Sequence, residues 1–351
     1  MDIAGIERYD IAQGDCLRVL QDLPDESVDC CVTSPPYYGL RTYHSGDGEI
    51  GQESSPPEYV TSLKMCFREV RRVLRPTGTL WLNLGDTYNG DKLGNTEKTK
   101  NRRVAEDNAE LNKHRYALLP DKSLLGIPWR VAFALQEDGW VLRSDIIWAK
   151  PNPMPTSAVD RCSSSHEYIF MFSKTPSGYF FDYEAIEEPG VEILSRPAPK
   201  DAGYRHLFYG EERAEEELLK HLEEKGRKTL NTEKGQCPHT MHKRRGAGIP
   251  RPFYEMRRRR DVWSIPVSFN GLNHFATFPE ELARLCVVAG CPKDGLVLDP
   301  FSGAGTTGVV ALKNHRRYLG IELNPKYVAL SRERIDRETR QQTLELDDFT
   351  R

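Results

Sequence analysis

The 351-residue sequence contains no apolar run that approaches the roughly 20 residues of a membrane-spanning helix. Its N-terminus also lacks the pattern of a secretory signal peptide. The eight cysteines are scattered, and no pair of CxxC motifs is found among them. These absences argue against a membrane protein and against a disulfide-stabilised secreted domain. We therefore expect a reduced, cytoplasmic protein with no membrane partner.

The sequence also offers little that could hold a metal ion. Cys237, His239 and His242 could supply three ligands, but a structural zinc site needs four and no fourth accompanies them. We therefore predict no metal site.

The net charge of -3 argues weakly against a nucleic-acid partner, but the charges are unevenly distributed. Residues 241–260 contain eight basic side chains and the single acid Glu255. A phosphate backbone senses such local clustering more than the total charge. A solvated run of charges is the alternative interpretation. The candidate nucleic-acid contacts are Lys243, Arg244, Arg245, Arg251, Arg257, Arg258, Arg259 and Arg260.

The hydrophobic pattern predicts alternating strands and helices. The predicted strands cover 28–34, 79–84, 140–148, 167–173, 295–299 and 317–321. The predicted helices cover 58–74, 123–137, 279–290, 304–314 and 325–340. Only about 50 residues follow Asp299, too few to build a doubly wound sheet. The remaining strands must come from the N-terminal half, so we predict one α/β sheet that is assembled from both chain ends.

A glycine-rich turn follows the predicted strand 295–299. Gly303, Gly305 and Gly308 form a G-x-G-x-x-G pattern before a helix, and Glu322 ends the next strand. This order indicates a nucleoside-containing cofactor, with the acid on the ribose hydroxyls. A tight strand–helix turn with an incidental acid is the alternative. Asp299, just ahead of the glycines, favours a cationic ligand such as S-adenosylmethionine over the diphosphate of NAD.

A second motif, Ser34-Pro35-Pro36-Tyr37, follows the predicted strand 28–34. The prolines fix φ and remove two backbone donors, which leaves carbonyls that can only accept hydrogen bonds. Ser34 adds another acceptor, and Tyr37 offers a flat face on which a base can stack. Aimed acceptors of this kind suit an exocyclic amino group. A proline turn with a tyrosine lid is the alternative.

Together these motifs resemble the β group of DNA amino-methyltransferases, in which the catalytic motif precedes the cofactor motif. Ser34-Pro35-Pro36-Tyr37 matches the family's catalytic tetrapeptide, and Trp148 to Pro155, which includes Lys150, resembles a segment near its target-base pocket. The cofactor-binding residues that the resemblance implies are Asp15, Thr277, Phe278, Asp299, Pro300, Phe301, Gly303, Gly305, Thr306, Thr307, Glu322 and Asn324.

The resemblance implies a Rossmann-like methyltransferase sheet, S-adenosylmethionine as cofactor and double-stranded DNA as partner. It predicts the catalytic part at 1–184, a target-recognition region at 185–261, the cofactor-binding part at 262–340 and a tail at 341–351. A prokaryotic cell or a phage is the expected source. Whether the protein forms a homodimer or has a cognate restriction endonuclease is left open.

The family also implies a mechanism, in which the amino nitrogen of a flipped base attacks the methyl group directly. Ser34 and the Pro35 carbonyl hold the nitrogen, no covalent enzyme–base intermediate forms, and Cys30 and Cys31 are core residues. Serine at the first motif position is associated with cytosine N4 and aspartate with adenine N6. We therefore expect an N4-cytosine enzyme, with N6-adenine as the alternative.

Three other interpretations are weighed against this one. An NAD-dependent dehydrogenase would explain the glycines but gives Ser34 to Tyr37 no role. An inactive nucleic-acid-binding relative is disfavoured because every catalytic motif position is filled. An RNA or protein-glutamine methyltransferase uses a related motif that typically begins with Asn.

Overall fold

The computed structural model describes residues 3, 5–39, 49–90, 116–153, 155–156, 158–189, 256–267 and 279–349, with side chains up to Thr339. The strands are β1 (Tyr9–Gln13), β2 (Val28–Thr33), β3 (Leu74–Leu84), β4 (Val141–Ala149), β5 (His166–Ser173), β6 (Glu188–Pro189), β7 (Met256–Arg257), β8 (Val262–Ser264), β9 (Leu296–Asp299) and β10 (Arg317–Glu322). The helices are α1 (Cys16–Gln21), α2 (Pro56–Val73), α3 (Ile127–Glu137), α4 (Glu280–Gly290), α5 (Thr306–Lys313) and α6 (Pro325–Phe349).

Eight of these strands form one sheet in the order β1-β10-β9-β2-β3-β5-β4-β8. Only β5 runs against its neighbours; the other pairings in this sheet are parallel. The N-terminal β2 lies directly beside the C-terminal β9, with Cys30 opposite Val297 and Cys31 opposite Leu298. This pairing confirms the predicted sheet that both chain ends build.

Helices cover both faces of the sheet. Apolar residues of α1, α2 and α3 form a core on one face, and residues of α4, α5 and α6 form a core on the other. Successive strand residues point to opposite faces, so Cys30 joins the second core and Cys31 the first. Both thiols are fully buried, and burial raises their pKa far above the ordinary value. These two cysteines are core residues, as predicted.

Helix α2 passes straight into the sheet. Tyr59, Leu63, Phe67 and Val70 recur at helical spacing and are buried against the first core. The helix ends at Val73 because the next residue already belongs to β3 and pairs with Val28. Residues 75–78, which separate the predicted helix 58–74 from the predicted strand 79–84, therefore belong to one long strand.

The chain divides into two compact units, residues 1–186 with 259–351 and residues 187–258. Within the described part of the second unit, β6 pairs antiparallel with β7, and Arg257 binds Glu188 at 2.9 Å. Among the helices that the structure describes, none combines the length and apolarity that crossing a membrane would take.

Candidate active site

Both predicted motifs lie at the same edge of the large sheet. Parallel strands end at a common edge, so β1, β10, β9, β2 and β3 bring their carboxyl ends together there. Strand β5 runs the other way and contributes its first residues to the same edge. The candidate site is therefore built from segments that are far apart in the sequence.

Asp299 joins the two motifs at this edge. Its Oδ1 accepts a hydrogen bond from Thr33 Oγ1 at 2.6 Å and one from the Phe301 backbone at 3.1 Å. Its Oδ2 accepts from Thr307 Oγ1 at 2.8 Å. Thr33 immediately precedes the Ser34 motif, so one carboxylate connects the end of β2, the turn after β9 and the start of α5.

The Asp299 side chain faces inward, whereas the sequence suggested that it faces a cationic ligand. The residue is only 2% exposed, and burial raises the pKa of its carboxyl to about 6. Both oxygens already accept hydrogen bonds within the protein. Its observed contacts hold the turn together, and a direct contact with a cofactor amino group remains a prediction.

The glycines of the turn are required by packing as well as by conformation. Gly305 has φ +74°, where side chains are disfavoured, and a Cβ there would lie 2.9 Å from Ser331 Cβ. At Gly308 a Cβ would lie 2.6 Å from Ile335 Cδ1. Ser331 and Ile335 belong to α6, so this helix packs directly against the turn and fixes its course.

Glu322 and Asp15 are placed at the neighbouring strand ends. Glu322 Oε2 accepts from the Gly303 backbone at 2.9 Å, and its Oε1 accepts from the Asn324 backbone at 2.8 Å. Burial raises the pKa of the Glu322 carboxyl. Asp15 Oδ1 caps α1 by accepting from the Arg18 backbone at 3.0 Å. Both acids therefore lie at the strand ends that flank the glycine-rich turn, and their contact with a cofactor remains a prediction.

The Ser34 motif leads out of β2. The Pro36 carbonyl accepts a hydrogen bond from Tyr59 Oη at 2.8 Å, which anchors the turn to α2. The Ser34 hydroxyl and the Pro35 carbonyl are therefore the candidate acceptors for a substrate amino group. The ring of Tyr37 rests against Gly85, where a Cβ would lie 2.6 Å from Tyr37 Cε2.

The hydroxyl of Tyr37 enters a polar network that the sequence did not reveal. It lies 2.7 Å from Glu167 Oε2 and 3.0 Å from Asn83 Oδ1, and Ser34 Oγ donates to it at 3.4 Å. Asn83 lies near the end of β3, and Glu167 lies near the start of β5, where it forms an ion pair with Lys150. In the sequence, Asn83 and Glu167 are marked only as polar residues in apolar strands, at the strand ends that reach the candidate site.

Lys150 was predicted to contact DNA. In the structure its Nζ lies beside Glu167 and 4.3 Å above the Trp148 ring.

Two arginines of the predicted basic cluster make contacts within the protein. Arg259 Nε donates to the Ile186 carbonyl at 2.7 Å, and the Arg260 carbonyl accepts from Trp263. Six predicted residues lie outside the described part of the chain, and they are Lys243, Arg244, Arg245, Arg251, Thr277 and Phe278. In the described ranges no cluster of potential metal ligands is found.

The sheet order and the two motifs at its edge are those expected of an amino-methylating methyltransferase. The model of the N6/N4 methyltransferase family, described as DNA methylase, matches residues 28–333, and the chain belongs to this family. The predicted class, a DNA methyltransferase, is thereby confirmed.

Curated relatives align over nearly the whole chain. The type II methyltransferase M.SmaI of Serratia marcescens is 39% identical over 333 residues, which cover 93% of this chain and 90% of that protein. M.Cfr9I of Citrobacter freundii is 40% identical over 326 residues, covering 93% and 87%.

Solved structures share the fold. The PvuII DNA methyltransferase, which is cytosine-N4-specific, superposes with a TM-score of 0.56 at 19% identity and covers 95% of this chain and 92% of that one. A Thermus thermophilus protein assigned as a DNA modification methylase, solved with S-adenosylmethionine, has a TM-score of 0.50 at 23% identity, covering 95% and 96%. The predicted fold class is confirmed.

Proposed function

We propose that this protein is a site-specific DNA methyltransferase that transfers a methyl group from S-adenosylmethionine to N4 of a flipped cytosine in duplex DNA. The observation that carries the proposal is the 2.6 Å hydrogen bond between Thr33 and Asp299. It fixes the Ser34 motif beside the glycine-rich turn, so a base amino group and a cofactor methyl group can meet at one sheet edge.

The chemistry needs positioning more than acid–base assistance. The sulfonium of S-adenosylmethionine already activates its methyl group, and the base nitrogen needs only an in-line approach at short range. Ser34 and the Pro35 carbonyl would accept the two amino hydrogens, which directs the nitrogen lone pair at the methyl carbon. Gly303, Gly305 and Glu322 would hold the cofactor.

Two observations support cytosine over adenine. Ser34 stands where the family's adenine enzymes typically carry aspartate. The PvuII enzyme, which shares the fold, acts on cytosine N4. N6-methylation of adenine is the second candidate, because the chain's family includes enzymes of both kinds. The type II relatives extend the proposal to a cognate restriction endonuclease that reads the same DNA site.

The test is to methylate plasmid DNA with purified protein and S-adenosylmethionine, and then to digest the product to nucleosides. We expect N4-methylcytosine, and sequencing of the modified positions should return one short recognition site. N6-methyladenine would overturn the base assignment, and no methylated base would overturn the function. The matched control is Ser34→Ala, which should bind the cofactor and lose methyl transfer.

A further inference from the structure

The Tyr37 hydroxyl has one proton and two acceptors. Glu167 Oε2 lies 2.7 Å away and Asn83 Oδ1 lies 3.0 Å away. The orientation of the Asn83 amide follows from its other contacts, because its Nδ2 lies 3.1 Å from both Glu167 Oε2 and the Tyr168 carbonyl. Asn83 Oδ1 must therefore face Tyr37 as an acceptor.

This arrangement can hold one more proton without losing a hydrogen bond. With Glu167 ionised, Tyr37 donates to its carboxylate. With Glu167 protonated on Oε2, the carboxylic acid donates to the Tyr37 oxygen, and Tyr37 turns its own proton toward Asn83 Oδ1. In both states Tyr37 and Glu167 remain hydrogen-bonded to each other, and protonation of Glu167 lets Tyr37 donate to Asn83 Oδ1 as well.

We propose that Glu167 takes up the proton that the target amino group releases, through the hydroxyls of Ser34 and Tyr37. The inference rests on the proposed function, but it holds for either base. Glu167 acts through two other side chains and is therefore a positioning residue. Its role extends the site to β5, a strand that carries neither motif.

The nitrogen lone pair forms the bond to the methyl carbon while the carbon–sulfur bond breaks, and its electron pair stays on sulfur. The surplus proton on nitrogen passes to Ser34 Oγ, the proton of Ser34 passes to the Tyr37 oxygen, and the proton of Tyr37 passes to Glu167 Oε2. Glu167 ends as a neutral acid and releases the proton to water when the product leaves.

Glu167 is held in place by neighbouring side chains. Lys150, which follows β4, forms an ion pair with it, and the two side chains are only 18% and 16% exposed. His166 precedes it on β5, with its ring 5.4 Å from that of Tyr168. Burial, and then the Glu167 charge, raise the pKa of Tyr37 well above its ordinary value. The proton therefore passes through Tyr37 without leaving a tyrosinate.

The Ser34–Tyr37 contact of 3.4 Å is the longest in the relay. Catalytic hydrogen bonds are often long before substrate binds and shorten in the reactive complex. A base amino group placed against Ser34 would hydrogen-bond its oxygen and orient its proton toward Tyr37. The relay is therefore expected to be complete only with DNA bound.

The test compares single-turnover methylation by wild type, Glu167→Gln and Tyr37→Phe over the acidic and neutral pH range. Glutamine can still accept a hydrogen bond from Tyr37 but cannot take up its proton. We expect the wild-type rate to rise with pH over this range. The Glu167→Gln rate should be about 100-fold lower and should not show this rise. S-adenosylmethionine affinity and thermal unfolding should match those of the control Glu137→Gln, which changes an exposed acid on α3.

Tyr37→Phe keeps the ring and removes the shared hydroxyl, so it should reproduce the Glu167→Gln profile, and the double variant should be no slower. It also keeps the test decisive if Glu167→Gln folds poorly. A purely structural role would weaken binding or folding and leave the shape of the pH profile unchanged. Wild-type rate and pH dependence in either variant would overturn the relay, whereas an inactive wild type would overturn the proposed function itself.

Discussion

Replacing Asp299 with asparagine should make the protein more stable near neutral pH. Burial raises the pKa of this carboxyl from 3.8 to about 6, a shift of about 2 pH units. At about 1.4 kcal/mol per unit, ionised Asp299 costs the native state as much as about 3 kcal/mol at neutral pH. Asparagine is neutral and can keep the bonds to Thr33 and Phe301, with Thr307 turning its hydroxyl to accept from the amide.

The sign of the pH dependence follows from the raised pKa. Below about pH 4 the carboxyl is protonated in both states, and Asp299 carries no penalty. Between about pH 4 and 6 the unfolded chain ionises first, so this residue lowers the free energy of unfolding as pH rises. Above about pH 6 the penalty is complete. Asp299→Asn removes this contribution and should therefore flatten the pH dependence of stability over that window.

Urea unfolding at several pH values, followed by circular dichroism, measures the difference directly. The matched control is Asp294→Asn, an exposed acid in the loop before β9 whose φ of +61° asparagine tolerates. A variant that is less stable than wild type at neutral pH, with an unchanged pH dependence, would refute the reasoning.

Three further changes test other contacts of the site. Arg334 is 3% exposed and binds Glu280 at 2.8 Å and Glu338 at 2.9 Å. Arg334→Met should therefore lower the free energy of unfolding by about 3 kcal/mol in urea titrations. A loss below about 1 kcal/mol would contradict this. Gly85→Ala places a methyl group against the Tyr37 ring, so methyl transfer should fall by about tenfold or more while isothermal titration shows unchanged cofactor binding. Thr33→Val leaves one bond of buried Asp299 unmade and should destabilise the fold by about 1–3 kcal/mol in thermal unfolding, whereas Thr33→Ser should not.

The sequence predicted six of the eight strands in the large sheet and missed β1 and β8. Apolar runs gave the strands within one or two residues in most cases, and the short stretch after Asp299 required partners from the N-terminal half. The pairing of Cys30 with Val297 shows that this element count was sound. The start of β3 was missed because strand pairing begins at Leu74, without an intervening turn.

The site was only partly predictable. The motifs at Ser34 and Asp299 carry spacing that is visible in the chain, whereas Glu167 meets Tyr37 across 130 residues and follows no motif. The inward orientation of Asp299 was also hidden, because the hydroxyl donors that hold it become neighbours only after β2 and β9 pair. Such contacts depend on the three-dimensional arrangement and leave no mark on local sequence.

The adjacency of β2 and β9 has a consequence for how the protein is made. The Leu296 backbone donates to Asp29 at 2.7 Å, and these residues are separated by 267 positions. At a synthesis rate of about 5–20 residues per second, β2 waits roughly 15–50 s on the ribosome before its neighbour exists. During that interval one edge of an apolar strand lacks its partner and can pair wrongly with another chain. We expect nascent chains to depend on chaperones until β9 emerges, and newly made protein to acquire activity in a single late step.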